Sequence, residues 1–206
     1  MIARCCRRAR RAWSGDNRLV ILLLYAHPHP PHSIANRVLL DAVRDVPHLT
    51  IHSLYDRYPD FSIDITAERH ALARAQLIIW QHPLYWYTVP ALLKYWFETV
   101  LTRGYAYGDG GTALAGKRCL WVTTTGAPDE GYSAAGIHQH NFDAFVPVVK
   151  QTAQFCHMHW LAPIVVLGAH RLDRGELEQQ GAAYRQRLLH LSAELTPSVA
   201  SKSDGH

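Results

Sequence analysis

The chain has 206 residues, 48% of them hydrophobic and 18% charged, a globular balance that suits one domain with a sizeable core. Its net charge of +4 comes from residues 1–18, where Arg4, Arg7, Arg8, Arg10, Arg11 and Arg18 face one acid, Asp16; the rest holds 15 basic and 16 acidic groups. A basic nucleic-acid-binding face is therefore excluded, and no apolar run approaches the ~20 residues that span a membrane.

Residues 1–18 followed by LVILLLYA imitate a signal peptide, but Tyr25, Ala26 and His27 supply no small-residue cleavage pattern. The segment reads instead as a basic disordered extension, ahead of a domain over 19–197 and a short polar, mobile end over 198–206. Cys5 and Cys6 lie in the extension, and Cys119 and Cys156 stand singly in apolar surroundings. With no C-x-x-C spacing, this is the thiol pattern of a reducing, cytoplasmic compartment.

LVILLLYA, residues 19–26, is continuously apolar and too short for a core helix, so it predicts a strand buried on both faces. Ser33 then opens a helix whose apolar positions Ala35, Val38, Leu39, Ala42, Val43 and Val46 fall on one face. A strand over 49–55, a helix over 65–75 and a strand over 76–83 follow. Thr88 and Pro90 start an apolar helix over 89–101, with proline near the first turn, where its missing N–H costs little. A glycine-rich connector, 104–117, leads to a strand over 118–126, a helix over 141–155 despite Pro147, and a fifth strand over 161–169. The last helix buries Leu177, Tyr184, Leu188, Leu191 and Leu195. Five strands alternating with helices predict an α/β, doubly wound, five-stranded parallel sheet in three layers.

In such sheets ligands bind beyond the carboxyl ends of the strands, which selects the loops AHPHPPHSIAN, HPLYWYTVP and TTTGAPDEGYSAAGIHQH. The first ends at a helix N-terminus, where free backbone N–H groups and the positive dipole end attract a phosphate; Ser33, Asn36 and His27 add side-chain donors. Ser33 also suits a helix N-cap, and His27 a packed loop histidine. A rival reading makes His27, His29 and His32 zinc ligands. Two prolines separate His29 from His32, however, and no H-E-x-x-H or Cys-His set accompanies them; the pairs at 138–140 and 157–159 are no more specific.

GTALAGK (111–117) and GDGGTA (108–113) mimic a P-loop and a dinucleotide fingerprint, but they follow a helix and precede a strand, the reverse of what either motif needs. LYWY offers aromatic edges and backbone amides to a planar ring, or is simply core. TTTGA offers Thr124, Thr125 and the amides of Gly126 and Ala127, followed by Tyr132 and His138. Together the loops describe a phosphate held at one end and an isoalloxazine ring at the other.

YAHPHPPHSIAN, SLYDRYPDFSIDITAE, WQHPLYWYTVPALLKYW and GYAYGDGGTALAGK, with most of the chain from Leu19 to Pro197, resemble the flavodoxin-like NAD(P)H:quinone oxidoreductases. Within them the chain is most similar to the ancillary proteins of glutathione-regulated potassium-efflux systems. The resemblance implies FMN, held by His27, Ser33, Ile34, Ala35, Asn36, Leu84, Tyr85, Trp86, Tyr87, Thr124, Thr125, Gly126 and Ala127. It further implies a homodimer, an antiporter partner, and a ping-pong cycle in which NAD(P)H reduces FMN and a quinone then takes two electrons. Tyr132 and His138 resemble the tyrosine and histidine that the quinone reductases place beside the flavin, where they can stabilise negative charge and manage a proton. A surface loop or a dimer-interface role are the other readings of that pair. Ala127 stands where glycine is usual, which is tolerable if that backbone avoids φ > 0. Two other functions compatible with the same residues are a regulatory FMN-binding subunit of the antiporter and a one-electron flavodoxin-type carrier.

Overall fold

The computed structural model describes residues 20–29 and 33–195. The expected extension over 1–18, His32 of the zinc reading, and the expected end over 198–206 lie outside the described residues.

The first apolar run forms β1 (Ile21–Tyr25), with all five residues buried. Its neighbours are β2 (Leu49–Ser53) and β3 (Leu77–Pro83), and β3 in turn pairs with β4 (Arg118–Thr124), every pairing parallel. Beyond β4 lie β5 (His159–Trp160) and β6 (Ile164–Val166), both paired to it, giving the order β2-β1-β3-β4-β5 with β6 beside β4. This is a flavodoxin-like α/β sheet. Because β1 sends its chain to one side and β3 sends its chain to the other, the loops after β1 and β3 part at the switch point and leave a crevice.

The strand expected over 161–169 is split. Pairing starts earlier, at His159, breaks over 161–163 and resumes at Ile164. Pro163 has no N–H to give, and five residues, Trp160 to Ile164, span what four, Cys119 to Val122, span on β4: a bulge in the edge position. The second expected strand also ends early, at Ser53, where α2 (Leu54–Arg57) makes a single helical turn.

The period-2 alternation of the strands sorts the core into two layers. Leu22, Leu24, Ile78, Trp80, Cys119 and Trp121 face α3 (Ile65–Arg74), α4 (Ala91–Val100) and α5 (Val146–Phe155). Ile21, Leu23, Tyr25, Ile79, Leu120 and Val122 face α1 (Ile34–Val43) and α6 (Arg174–Leu195). Gly181 lets those two helices close up, since a Cβ there would lie 2.9 Å from that of Ala42. The helix expected over 141–155 begins as a 3₁₀ turn, Phe142–Ala144, and Pro147 then sits in the first turn of α5, where no N–H is required.

Candidate functional site

Every loop in question leaves the carboxyl end of a strand. After β1, His27 turns inward and is 7% exposed. Its Nδ1 accepts the His29 backbone N–H at 3.1 Å, so the neutral ring carries its proton on Nε2. Burial, with His29 as a second cause, lowers its pKa to about 4, which keeps His27 neutral near pH 7 with one N–H to donate. Ser33 occupies the N-cap position of α1 but makes no capping bond; its Oγ accepts from the Tyr25 hydroxyl at 3.4 Å. Ile34, Ala35 and Asn36, the first turn of α1, line the same crevice as Ser33, and the amides of a first helical turn have no intrahelical acceptor. Asn36 is 2% exposed, and its Nδ2 donates to Thr124 Oγ1 at 2.7 Å, which ties the helix start to the end of β4 and leaves Oδ1 without a partner.

After β3, the Leu84 N–H donates to the Thr124 carbonyl at 2.8 Å, while Tyr85 and Thr88 exchange backbone hydrogen bonds of 3.1 and 3.0 Å. Trp86 and Tyr87 form the turn between them with φ of 49° and 64°, the left-handed pair of a type I′ turn. Two aromatic residues in that region cost on the order of 1–3 kcal/mol each, a strain that clusters at ligand-holding segments. No backbone carbonyl of the described residues accepts from the N–H of Trp86 or Tyr87.

After β4, Thr125 holds the loop shut: its Oγ1 donates to the Ala127 carbonyl at 2.7 Å and accepts from the Gly168 N–H at 3.2 Å. Ala127 avoids positive φ, so alanine in place of the usual glycine is unstrained. The segment then folds back through a 3₁₀ turn, Asp129–Gly131, and stacks the Tyr132 ring on that of His138, with centroids 4.3 Å apart and planes 26° apart. Burial raises the Tyr132 hydroxyl pKa, with Thr125 opposing the shift. His138 Nε2 is buried without a partner. Tyr87 closes the group, edge-on to His138 at 5.6 Å and stacked on Phe145 at 5.2 Å.

All fifteen residues singled out from the sequence line one or other of two adjoining cavities, of about 330 and 430 Å³. The smaller holds the start of α1, His27 and Thr124; the larger holds Trp86, Tyr87, Tyr132 and His138; Leu84, Gly126 and His170 line both. The sequence reading missed His170 and Arg171, contributed by the loop after β6. The carboxyl-end rule applies to that loop as well, and with it the site gains a guanidinium while no carboxylate lines either cavity. The Gly126 Cα opens toward His170, whose Nδ1 would lie 4.0 Å from an added Cβ. One end thus offers donors to an anion, and the other offers rings, free amides and an imidazole.

A parallel sheet in this strand order, with its crevice at the switch point, defines the flavodoxin class, and the chain belongs to the flavodoxin-like fold family, whose model matches residues 20–188. Within that class, it is 48% identical over 170 residues to the glutathione-regulated potassium-efflux system ancillary protein KefF of Salmonella typhimurium, covering 82% of this chain and 96% of that one. Among solved structures, the general stress protein 14 of Treponema denticola, in complex with FMN, aligns with TM-score 0.77 and 31% identity over 86% of this chain and 99% of the other. An NADPH-quinone reductase from P. pentosaceus aligns with TM-score 0.74 and 27% identity, covering 82% and 97%. A protein described as a thermophilic tryptophan halogenase, from Streptomycin violaceusniger, aligns with TM-score 0.78 and 36% identity, covering 82% and 98%. Among the described residues no helix is long and apolar enough to cross a membrane.

Proposed function

We propose that the chain is an FMN-dependent NAD(P)H:quinone oxidoreductase acting by two-electron transfer in a ping-pong cycle. The observation that carries this reading is the adjacency of the two cavities, an anion-binding end beside a ring-binding end with Leu84, Gly126 and His170 lining both. FMN has that bipolar shape, and the T. denticola relative holds it. His27 Nε2–H and the first turn of α1 from Ser33 to Asn36 would hold the phosphate; Leu84 to Tyr87 and Thr124 to Ala127 would flank the ring. When bound, FMN supplies the acceptance and release of hydride equivalents, and the protein supplies placement. Tyr132, kept protonated by its raised pKa, donates a hydrogen bond where negative charge develops, and the unpartnered His138 Nε2 is free to hold or move the proton. Fold alone leaves the chemistry open, as the halogenase shows. The choice of a reductase rests on the Tyr132–His138 pair and on the P. pentosaceus relative.

An apolar groove of about 490 Å³ between α4 and α5, with Val148 and Phe155 each 55% exposed, supports a homodimer through that face. The match to 96% of an ancillary protein of potassium efflux favours a second role, as the FMN-binding regulatory subunit of an antiporter at the cytoplasmic face of the membrane. Steady oxidation of NAD(P)H with a quinone acceptor excludes a one-electron carrier, and loss of antiporter activation on deleting the gene supports the subunit role. Tyr132→Phe and His138→Gln should retain FMN yet slow its anaerobic reduction by NAD(P)H about 10²- to 10⁴-fold in stopped-flow absorbance. Unchanged rates in both variants would remove the pair from the mechanism.

A further inference from the structure

On the edge strand β2, alternation sends Thr50 and His52 to one side, and His48, in left-handed backbone (φ 63°) just before the strand, lines the same space; there α3 presents Ala67, His70, Ala71 and Arg74, the i, i+3, i+4, i+7 positions of one helix face. The two alanines are too short to fill the space against the strand. A pocket of about 440 Å³ remains, into which Arg57 also reaches from α2. Two arginines and three histidines line it, and no carboxylate does. Beneath its wall lies Glu68, fully buried, accepting from His52 Nδ1 at 2.9 Å, from the Tyr58 hydroxyl at 2.7 Å and from Trp96 Nε1 at 3.1 Å, with Arg57 Nε 3.6 Å away. Those donors occupy Glu68, so its charge is spent inside the fold. His48, His70 and Arg74 make no ion pair among the described residues.

Charges on an edge strand guard against edge-to-edge pairing whatever their sign. Edge protection therefore explains polar residues on β2 but not a concave surface with basic groups alone on strand, turn and helix. A metal ion is the other ligand that three histidines suggest. Among the described residues no three His, Cys, Asp or Glu side chains are placed to hold one, and two guanidiniums would repel it.

We propose that this pocket between β2 and α3 binds a small phosphate-bearing anion, separately from the crevice at the carboxyl ends of the strands. Arg74 supplies guanidinium donors, Arg57 supplies those of its N–H groups that Glu68 does not engage, His48 and His70 supply imidazole donors at the rim, and His52, oriented by Glu68, forms the floor. The low-dielectric wall formed by Val20, Leu22 and the alanines strengthens each of these contacts.

The test is calorimetric titration of inorganic pyrophosphate into the full-length protein saturated with FMN, so that any phosphate end in the crevice is already filled. Saturable one-to-one binding is expected, weakened at least about tenfold by Arg74→Glu and by His70→Glu. Both side chains are exposed at the pocket, so neither variant should change the urea midpoint or FMN affinity. The proposal is overturned by an absence of saturable binding, by equal affinity in the wild type and both variants, or by protein that ignores free pyrophosphate and sediments only with anionic vesicles.

Discussion

His82 sits one residue from the end of β3, where the chain passes through Pro83 into the aromatic turn. It is fully buried and uses both ring nitrogens: Nδ1–H donates to the Pro83 carbonyl at 2.8 Å, and Nε2 accepts from Trp121 Nε1–H at 2.8 Å. Trp121 can only donate, so the tautomer is set. Protonation would bring a second N–H against the indole and place a charge in the core; burial accordingly lowers the pKa from 6.5 to about 4. The unfolded chain takes up this proton near pH 6.5 and the folded chain only near 4, so stability is lost as pH falls through that window. Linkage over the step from pH 7 to pH 5 amounts to about 2 kcal/mol from this one group. Urea unfolding of the wild type and His82→Gln at both pH values isolates it, because glutamine offers a donor and an acceptor but does not titrate. The stability advantage of the wild type should shrink by about 2 kcal/mol at pH 5. Equal losses in the two proteins would refute the assignment of a neutral, doubly bonded His82.

Asn36→Asp replaces the donor to Thr124 with an acceptor and sets negative charge beside the expected phosphate, and should weaken FMN binding by about 1–3 kcal/mol in a fluorescence titration. An unchanged Kd would remove Asn36 from the cradle. Gly168→Ala places a side chain at φ +61° and within 3.0 Å of Pro128, against the loop that carries Ala127. It should cost about 1–2 kcal/mol in urea unfolding and loosen FMN as well; neutrality in both assays would show that this loop end is not fixed. A chain beginning at Leu19 should keep its urea midpoint and its flavin, since among the described residues the sheet contacts start at Val20, whose N–H donates to Gln76 Oε1. Insoluble or flavin-free protein would show that the arginine-rich segment belongs to the fold.

What was legible in the sequence is what short-range periodicity encodes. β1 could be read because a strand covered on both faces is continuously apolar, and α1 because Ala35, Leu39 and Val43 recur on the face it buries. The bulge between β5 and β6 was not legible, because Pro163 interrupts a run whose side chains remain apolar on either side. His170 and Arg171 were passed over for a similar reason: their loop carries no glycine-rich or aromatic pattern, and only the sheet order brings it to the crevice. The basic pocket is less legible still, since His48, Thr50 and His52 meet His70 and Arg74 only once α3 lies across β2.

The aromatic turn shows the opposite relation between sequence and site. Local propensity argues against Trp86 and Tyr87 in left-handed backbone, where a type I′ turn prefers asparagine and glycine, and a locally optimal sequence would remove a strain on the order of 1–3 kcal/mol per residue. The rest of the structure fixes the conformation: Leu84 is bonded to Thr124, Tyr85 and Thr88 are bonded to each other, and the Tyr87 ring is packed against Phe145 and His138. The strain therefore persists because its surroundings over-determine it, and it leaves two backbone N–H groups and an indole that is 90% exposed beside the cavity that holds Tyr132. A conflict between local preference and observed backbone is the mark expected where a segment is shaped for a ligand rather than for the fold. It points to the proposed ring-binding end of the site independently of any residue's chemical type.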